Sequence, residues 1–449
     1  MALAVEHDME IHQLDVVTAF LNGESDEDIY MQVPNELRPT LEDIVKDINS
    51  PKEIKIEAKK MLKTLRDDHA VCKLEKALYG LKQASRQWNK KLDVQLKRIG
   101  LQQLSSDPCI YHMWKNGKLL ILAIYVDDLW IASADPEWIE EIKVRLMESF
   151  KMKYLGKIHY GLGIEFSQDL NEGKIFMSQQ KYTNDVLKRF GMENSKPAST
   201  PLEVGTKLTK AINPDPDEKQ NYPYQQLIGC LMYLAVSTRP DIAYPVNWLS
   251  QFNNCHTIEH WNTAKRVLRY LKKTPTHGLM FRKTGKQLQG FTDADWGNCP
   301  DDRRSYTGYF FTLGGAAITW QARKQSTVAL SSVEAEYMAL TEASKEAVYL
   351  RQLLRELKLL DDSNATLIHN DNQGSQLLAK NPIYHGRTKH IDIRHHFVRN
   401  CVENGSVKLT YTPTTEMPAD ILTKPLPVNK HRQFTEALGV QADGHRLEG

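Results

Sequence analysis

The segment from Lys118 to Ser133 (KLLILAIYVDDLWIAS) constrains the fold more than any other part of the chain. β-Branched and aromatic residues occupy both of its halves, which predicts two strands and not a helix. Asp127 and Asp128 stand between the halves as the predicted link of a hairpin. Asp is a common turn residue, so the pair can be a solvated turn. Two adjacent carboxylates beside core strands can also hold a divalent ion, and the acids elsewhere in the chain decide between these readings.

A third acid, Asp15, lies inside the apolar segment from Ile11 to Val17. Strands disfavour Asp, so this position is either a strand end that faces solvent or part of a functional site. The segments between Pro136 and Phe190 predict a helix, two strands joined by a hairpin and a second helix. The whole order is that of a split βαβ arrangement, in which the first strand ends beside the turn of the central hairpin. Asp15, Asp127 and Asp128 are therefore predicted to converge.

Helical segments without strand character surround this predicted sheet. Residues 35–70 are rich in mixed charge and predict a surface helical hairpin that is broken at Ser50-Pro51. Residues 72–101, with an apolar stripe that begins at Leu78, predict a basic amphipathic helix, and Ile258 to Lys272 predict another. Such helices are either solvated faces or surfaces that follow a phosphate backbone.

The C-terminal part of the chain changes to short strands from Gln287 onward. The pattern predicts three strands, a long helix from Ser331 to Leu359, a strand, two helices, a strand and a final helix near Pro418. This order indicates a mixed sheet covered by helices. Asp293 and Asp371 each stand at the end of one of its apolar strands, as Asp15 does in the first sheet.

Spacing separates the two glutamates of the long helix. Glu336 falls on the apolar stripe, where an unpaired carboxylate is costly unless a metal compensates for it. Glu334 lies three residues after Ser331, which is the spacing of a capping box. Asp420 opens the predicted last helix. It can interact favourably with the helix dipole at that position, or it can be a further metal ligand. Together the acids predict a two-metal site of phosphoryl chemistry, formed by Asp293, Glu336, Asp371 and Asp420.

Composition limits the other chemistry that the chain can carry. Its 449 residues allow two to four domains, and a net charge of +2 does not by itself identify a nucleic-acid binder. The six cysteines form no C-x-x-C pair, which excludes a zinc ribbon or knuckle and fits free thiols in a reducing compartment. Without a signal-peptide pattern or a long apolar run, a soluble intracellular protein is expected. Four histidines lack zinc-site spacing and predict a basic surface helix that contacts nucleic acid or solvent, namely His385, His390, His395 and His396.

Long motifs of the chain closely resemble the reverse transcriptase of copia-type LTR retrotransposons, namely LDVVTAFLNG, LYGLKQASRQW, YVDDLWIAS, LGKIHYGLGIEF and STRPDIAYPVNWLSQF. Others resemble the ribonuclease H that follows it in those Pol polyproteins: FTDADWGNCPDDRRSYTGYFF, SSVEAEYMAL, HNDNQGS and ADILTKPL. The resemblance implies an α+β fold with a polymerase palm built on a split βαβ (ferredoxin-like) sheet, a helical thumb or connection, and a C-terminal ribonuclease H-like mixed α/β domain. The expected boundaries are 1–193 for the palm with a helical insertion at 35–70, 194–285 for a proline-rich linker (194–224) and the thumb or connection, 286–430 for the ribonuclease H, and 431–449 for a C-terminal tail.

The resemblance also implies which residues are catalytic. In the palm, Asp15, Asp127 and Asp128 would bind two Mg²⁺ ions, with Mn²⁺ as a substitute, that activate the primer 3′-hydroxyl and hold the incoming nucleotide. Phe20 would block a ribose 2′-hydroxyl or serve as a core aromatic, and Gln83 would line the nucleotide site. In the ribonuclease H, the ions that hydrolyse RNA in an RNA–DNA hybrid would be bound by Asp293, Glu336, Asp371 and Asp420. Asp295 is the alternative to Asp293, because it lies two residues further along the same face of the strand.

The leading hypothesis is therefore an RNA-directed DNA polymerase with ribonuclease H activity, working on an RNA template, a DNA primer, dNTPs and RNA–DNA hybrid. Association with other Pol products, no membrane, and a location in cytoplasmic virus-like particles or the nucleus are expected. The chain begins about fourteen residues before Asp15, so the fingers of the family are expected to be largely missing. A fragment with ribonuclease H activity only and a non-catalytic, nucleic-acid-binding transposon remnant are the alternatives. The loop TPTTEMPAD lacks the mobile histidine of some ribonucleases H, which fits the copia type.

Overall fold

The computed structural model describes residues 1–65, 70–210, 222–361, 363–380 and 389–443. Its helices are α1 (Ala2–Glu6), α2 (Leu37–Lys46), α3 (Lys52–Thr64), α4 (Ala84–Ile99), α5 (Pro136–Ser149), α6 (Gln180–Arg189), α7 (Tyr224–Ser237), α8 (Ala243–Ser250), α9 (Ile258–Lys273), α10 (Ser332–Glu356), α11 (Gln373–Lys380), α12 (Lys389–Glu403) and α13 (Val428–Ala437). Its strands are β1 (Glu10–Val16), β2 (Tyr30–Gln32), β3 (Val71–Lys73), β4 (Gln102–Gln103), β5 (Ile110–Lys115), β6 (Lys118–Tyr125), β7 (Asp128–Ser133), β8 (Met152–Lys157), β9 (Tyr160–Gly161), β10 (Ile164–Asp169), β11 (Lys174–Ser178), β12 (His277–Arg282), β13 (Gln289–Ala294), β14 (Tyr306–Leu313), β15 (Ala316–Lys324), β16 (Thr366–Asn370), β17 (Val407–Tyr411) and β18 (Val440–Ala442). None of the helices in these ranges has the length and apolar character that crossing a membrane requires.

The first sheet contains the predicted hairpin. Its strand order is β4-β5-β6-β7-β1-β8, and β1 is antiparallel to both of its neighbours. The hairpin runs from the pair Leu120–Ser133 to the pair Tyr125–Asp128. Helices α4 and α5 bury Trp88 and Ile139 in the same core as the strand residues of this sheet. The predicted hairpin, and the position of β1 beside it, are therefore confirmed.

The turn of the hairpin lies one residue earlier than predicted. Val126 and Asp127 connect the strands, and Asp128 is already the first residue of β7. Val126 has φ +57°, a left-handed conformation that β-branched residues rarely adopt. Trp88 of α4 donates a hydrogen bond from its indole Nε1 to the Val126 carbonyl at 2.6 Å. This contact from a distant helix stabilises a turn that local residue preferences do not favour.

The second sheet joins segments that the sequence assigned to different domains. Its order is β18-β12-β11-β10-β9, so strands from the palm, the connection and the C-terminus pair side by side. Residues 431–443, predicted as a tail, form most of α13 together with β18. Phe434, Leu438 and Val440 of this segment are buried in the largest apolar core. Apolar side chains and strand pairing thus make the segment part of the folded body.

Residues 194–210 of the predicted linker run along α9. Leu202 and Leu208 are buried, and Ala198 N donates to the Arg269 carbonyl at 3.0 Å. Cations of α9 bind the same segment: Arg269 Nε donates to Lys196 O at 2.6 Å, and Lys272 Nζ to Ser195 O at 2.5 Å. Arg269 and Lys272 of α9 therefore hold a neighbouring segment of the chain in place, a role that the sequence did not predict for them.

The third sheet has the order β15-β14-β13-β16-β17. Strands β13, β14 and β15 are antiparallel, whereas β16 is parallel to both β13 and β17. Apolar residues of α10, among them Leu340, Ala343 and Ala347, share one core with the strand residues Phe311 and Ile368. The mixed sheet covered by helices is as predicted, and the α+β class of the whole chain is confirmed.

The predicted helices agree with the structure to different degrees. The hairpin at 35–70 consists of α2 and α3, with Pro51 before the second helix, as predicted. Helix α4 begins only at Ala84, because Gly80, with φ +95°, interrupts the apolar stripe that starts at Leu78. The helix near Pro418 is a short 3-10 helix (Pro418–Leu422), and the sequence prediction missed α13. Pro425 and Pro427 separate the two, since proline cannot continue a helix.

Candidate functional site

The acids of the first sheet meet at one end of β1. Asp15 lies opposite Asp128 in the pairing of β1 with β7, and Val16 N donates to the Asp127 carbonyl at 2.9 Å. All three acids are partly exposed at this edge. The split βαβ topology thus brings Asp15 next to Asp127 and Asp128, which are more than a hundred residues further along the chain.

The charges of these acids act on one another. Burial, followed by the charges of Asp127 and Asp128, raises the pKa of Asp15 above its ordinary value. Lys153, opposite Asp15 in the pairing of β1 with β8, partly offsets this effect. Gln13 Nε2 donates to Asp128 Oδ1 at 3.0 Å and fixes the orientation of that carboxylate. The edge is therefore electrostatically suited to a cation.

Phe20 and Gln83 lie in the segments beside this edge. Phe20 belongs to the short 3-10 helix Ala19–Asn22, and its ring packs against Tyr79 with centroids 4.6 Å apart. Phe20 also contacts the core of the first sheet, so its reading as a core aromatic has structural support. Gln83 is half-buried directly before α4, and its carbonyl accepts a bond from Gln87 N at 3.0 Å.

A tighter acidic group lies on the third sheet. Asp293 is the next-to-last residue of β13, Asp371 follows β16, and Glu336 lies in the second turn of α10. One carboxylate oxygen of each lies within 4.8 Å of the other two. Among the residues described, no other three acids, histidines or cysteines come this close, the palm acids included. Three oxygens at this spacing can ligate one divalent cation.

Burial makes this group costly without a cation. Burial, then the charges of Asp293 and Asp371, raises the pKa of Glu336 well above its ordinary value. Burial also raises the pKa of Asp371, whose Oδ2 accepts a hydrogen bond from Thr414 Oγ1 at 2.6 Å. Asn370 Nδ2 donates to Glu336 Oε2 at 3.0 Å and keeps that oxygen in place. Asn370 and Thr414 thus orient the carboxylates of Glu336 and Asp371, and neither of them carries a positive charge.

Asp420 is not part of this group, and its carboxylate forms ion pairs with two lysines. Lys424 Nζ is 2.9 Å from Asp420 Oδ1 and 3.5 Å from Asp293 Oδ2. Lys430 Nζ is 3.6 Å from Asp420 Oδ2. Burial and the charge of Asp293 raise the pKa of Asp420 to about 6, although both lysines oppose the shift. Thr423 Oγ1 donates a further hydrogen bond to Asp293 Oδ2.

The alternative first ligand, Asp295, is not part of this group. Its Oδ1 accepts a hydrogen bond from Tyr306 N at the start of β14. Burial raises its pKa to about 7. Asp293, and not Asp295, therefore lies with Glu336 and Asp371.

Glu334 acts as the sequence predicts. Its backbone N–H donates to Ser331 Oγ at 3.2 Å, and its Oε2 accepts from Leu330 N at 2.8 Å. The predicted cap at the start of α10 is confirmed. Sequence reasoning missed the supporting residues of the site, although Lys424 has a signal in its i+4 spacing from Asp420. The others carry none, because only the fold brings Thr414, Asn370 and Thr423 to the acids.

Comparison with known proteins identifies the family. The family model described as reverse transcriptase (RNA-dependent DNA polymerase) matches residues 52–204. The retrovirus-related Pol polyprotein from transposon TNT 1-94 of Nicotiana tabacum is 41% identical over 448 residues, which are 99% of this chain and 32% of that protein. A putative transposon Ty5-1 protein of Saccharomyces cerevisiae is 33% identical over 340 residues, 74% of this chain and all of that protein. The chain belongs to the copia-type retrotransposon Pol polyproteins.

The match to the copia-type Pol polyproteins has defined limits. The chain spans about a third of the length of the tobacco relative. A solved structure of a foamy viral protease–reverse transcriptase in complex with RNA/DNA hybrid covers 90% of this chain at 12% identity and a TM-score of 0.46.

Of the four histidines that the sequence assigned to a basic surface helix, His396 is exposed on α12. His385 lies outside the described residues, and for His390 and His395 the surface position stays a prediction.

Proposed function

We propose that this chain has two centres of phosphoryl transfer, an RNA-directed DNA polymerase in the first sheet and a ribonuclease H in the third. The observation that carries the proposal is the convergence of Asp293, Glu336 and Asp371 from two strands and a helix of a Pol-type chain. Burial raises the pKa of Glu336 and of Asp371, so three carboxylates at this spacing need a compensating cation to be ionised together.

In the third sheet, Asp293, Glu336 and Asp371 would hold a Mg²⁺ ion, with Mn²⁺ as a substitute. When bound, such an ion activates water and stabilises the leaving oxygen of the cleaved RNA strand. The residues of the chain supply the placement. Asn370 and Thr414 fix the oxygens of Glu336 and Asp371 by hydrogen bonds. The proposed substrate is the RNA strand of an RNA–DNA hybrid.

In the first sheet, Asp15, Asp127 and Asp128 would hold the ions that bind the triphosphate of an incoming dNTP and the primer 3′-hydroxyl. Gln13 orients Asp128, and Trp88 holds the turn that carries Asp127. These acids are looser than those of the third sheet, and substrate phosphates supply further ligands at such sites. Phe20 and Gln83 would contact the nucleotide, Phe20 next to the ribose.

Primer extension and hybrid cleavage with Mg²⁺ test both centres on the same chain. Asp128→Asn is expected to lose extension and keep cleavage, whereas Glu336→Gln is expected to lose cleavage and keep extension. The matched controls are Asp185→Asn on the exposed face of α6 and Glu342→Gln on α10, both expected to keep both activities. Loss of both activities in either single variant, or wild-type activity in both, would contradict the assignment of two separate centres.

A further inference from the structure

Lys424 lies between two acids of the ribonuclease H centre. Its Nζ is 2.9 Å from Asp420 Oδ1 and 3.5 Å from Asp293 Oδ2, and both carboxylates are only 2% exposed. The ammonium group therefore bridges two buried anions, as a second metal ion would.

The backbone around Lys424 is fixed. After the 3-10 helix Pro418–Leu422, the N–H groups of Thr423 and Lys424 both donate to the Asp420 carbonyl, at 3.2 and 3.1 Å. Gly308 of β14, which pairs with Asp293, lets this segment approach closely: a Cβ at Gly308 would lie 2.8 Å from Thr423 Cγ2. The backbone that carries Lys424 is thus held in place beside Asp420 and Asp293.

Three acids of the centre lie close enough together to ligate a single ion. The group within 4.8 Å consists of Asp293, Glu336 and Asp371 and does not include Asp420. An ion that bridged Asp420 and Asp293 with Mg–O distances of about 2.1 Å would lie within about 5 Å of the Lys424 ammonium. Two cations this close repel strongly in a site with little water.

We propose that Lys424 occupies the position of a second cation, so that the centre binds one divalent ion tightly and a second only when Lys424 moves away. Lys424 is then a positioning residue: it holds Asp420 and Asp293 in place and sets the number of ions in the resting site. This inference rests on the proposed ribonuclease H function, because it assumes that the three acids bind an ion.

Mn²⁺ binding to the full chain, followed by the EPR signal of the free ion, tests the inference. The number of ions bound at the ribonuclease H centre is the number bound by each chain minus the number bound by the Asp293→Asn/Glu336→Gln chain. This subtraction removes the ions that bind to the palm acids. The wild type is expected to bind one additional ion and Lys424→Met two. The second ion is expected to bind to Lys424→Met at least about tenfold more tightly than to the wild type, since a unit charge has been removed. Spin coupling between two neighbouring Mn²⁺ ions should appear in Lys424→Met alone.

Two further variants separate charge from folding. Lys424→Arg keeps the positive charge and is expected to bind one ion, even if Lys424→Met is unstable. Lys345→Met removes another ion-paired lysine, 2.9 Å from Glu342, and is expected to behave as the wild type. Two ions of similar affinity in the wild type, or a count of one in folded Lys424→Met, would overturn the inference. If the Asp293→Asn/Glu336→Gln chain binds as many ions as the wild type, the proposed metal site itself fails.

Discussion

Glu336 offers a direct test of whether the third sheet is built for a cation. At an effective dielectric constant of about 20, unit charges at the 4.8 Å limit of this group repel by about 3.5 kcal/mol. Partial protonation of Glu336 reduces what is observed, because its pKa is raised. Gln at this position keeps an oxygen that can accept the hydrogen bond from Asn370. Without divalent ions, Glu336→Gln should therefore be more stable than the wild type by about 2 kcal/mol.

With Mg²⁺ the order should reverse. An ion present at 100 times its dissociation constant stabilises the wild type by about 2.7 kcal/mol, and Glu336→Gln should lose most of this gain. Urea unfolding in EDTA and in Mg²⁺ measures the stability of each variant without and with the ion. Because a chain of this size unfolds in more than one step, hydrogen exchange of α10 and β13 shows whether the change in stability lies in the third sheet. Glu342→Gln, at a half-buried site on the same helix where the carboxylate pairs with Lys345, should change stability by no more than about 1 kcal/mol in either condition. A Glu336→Gln chain that is less stable than the wild type in EDTA, or that gains equally from Mg²⁺, would refute the reasoning.

Three further predictions concern the supporting structure. Arg239 and Asp241 form a fully buried ion pair at 2.7 Å. Arg239→Met should cost about 3–5 kcal/mol in unfolding experiments, because it leaves the buried Asp241 carboxylate without its cation and with only the Tyr270 hydroxyl as a partner. Burial lowers the pKa of His431 to about 4, below its ordinary value. As the pH falls, the unfolded chain therefore binds a proton at this histidine before the folded chain does. Up to about 3 kcal/mol of stability should be lost as the pH falls from 6.5 to 4. Gly308→Ala should reduce hybrid cleavage by up to about 100-fold, with primer extension unchanged, since the new Cβ displaces Thr423 from Asp293.

Each of these predictions has its own control. Arg239→Met combined with Asp241→Leu should recover much of the lost stability, and no recovery would contradict the ion-pair argument. His431→Phe should flatten the pH dependence between 6.5 and 4, and an unchanged slope would assign that dependence to other groups. For Gly308, the comparison is Gly229→Ala in α7, where an added Cβ meets open space. Equal losses of cleavage in the two glycine variants would argue against a specific contact.

The sequence predicts those parts of the fold that depend on periodicity and chain order. The meeting of Asp15 with Asp128 follows from strand order alone, and the burial of Glu336 follows from helical spacing. The turn at Val126 does not follow, because the Trp88 bond that stabilises it comes from a helix 38 residues away. The packing of residues 194–210 cannot be predicted from the sequence for a similar reason. The prolines predict an irregular segment, but its position is fixed by hydrogen bonds from Arg269 and Lys272 of α9, which lie more than 70 residues away.

Helix α10 connects the two proposed centres mechanically. Glu336, near its start, belongs to the acidic group, and Glu356, its last residue, accepts bonds from Ser105 N and Ser106 N at 2.6 and 3.2 Å. The loop of these serines lies at the acid-bearing end of the first sheet, since Ile124 N, near the hairpin turn, donates to a carbonyl of the same loop. Twenty residues of α-helix span about 30 Å, so α10 acts as a strut of fixed length. A nucleic acid held at one centre would therefore meet the other at a set distance.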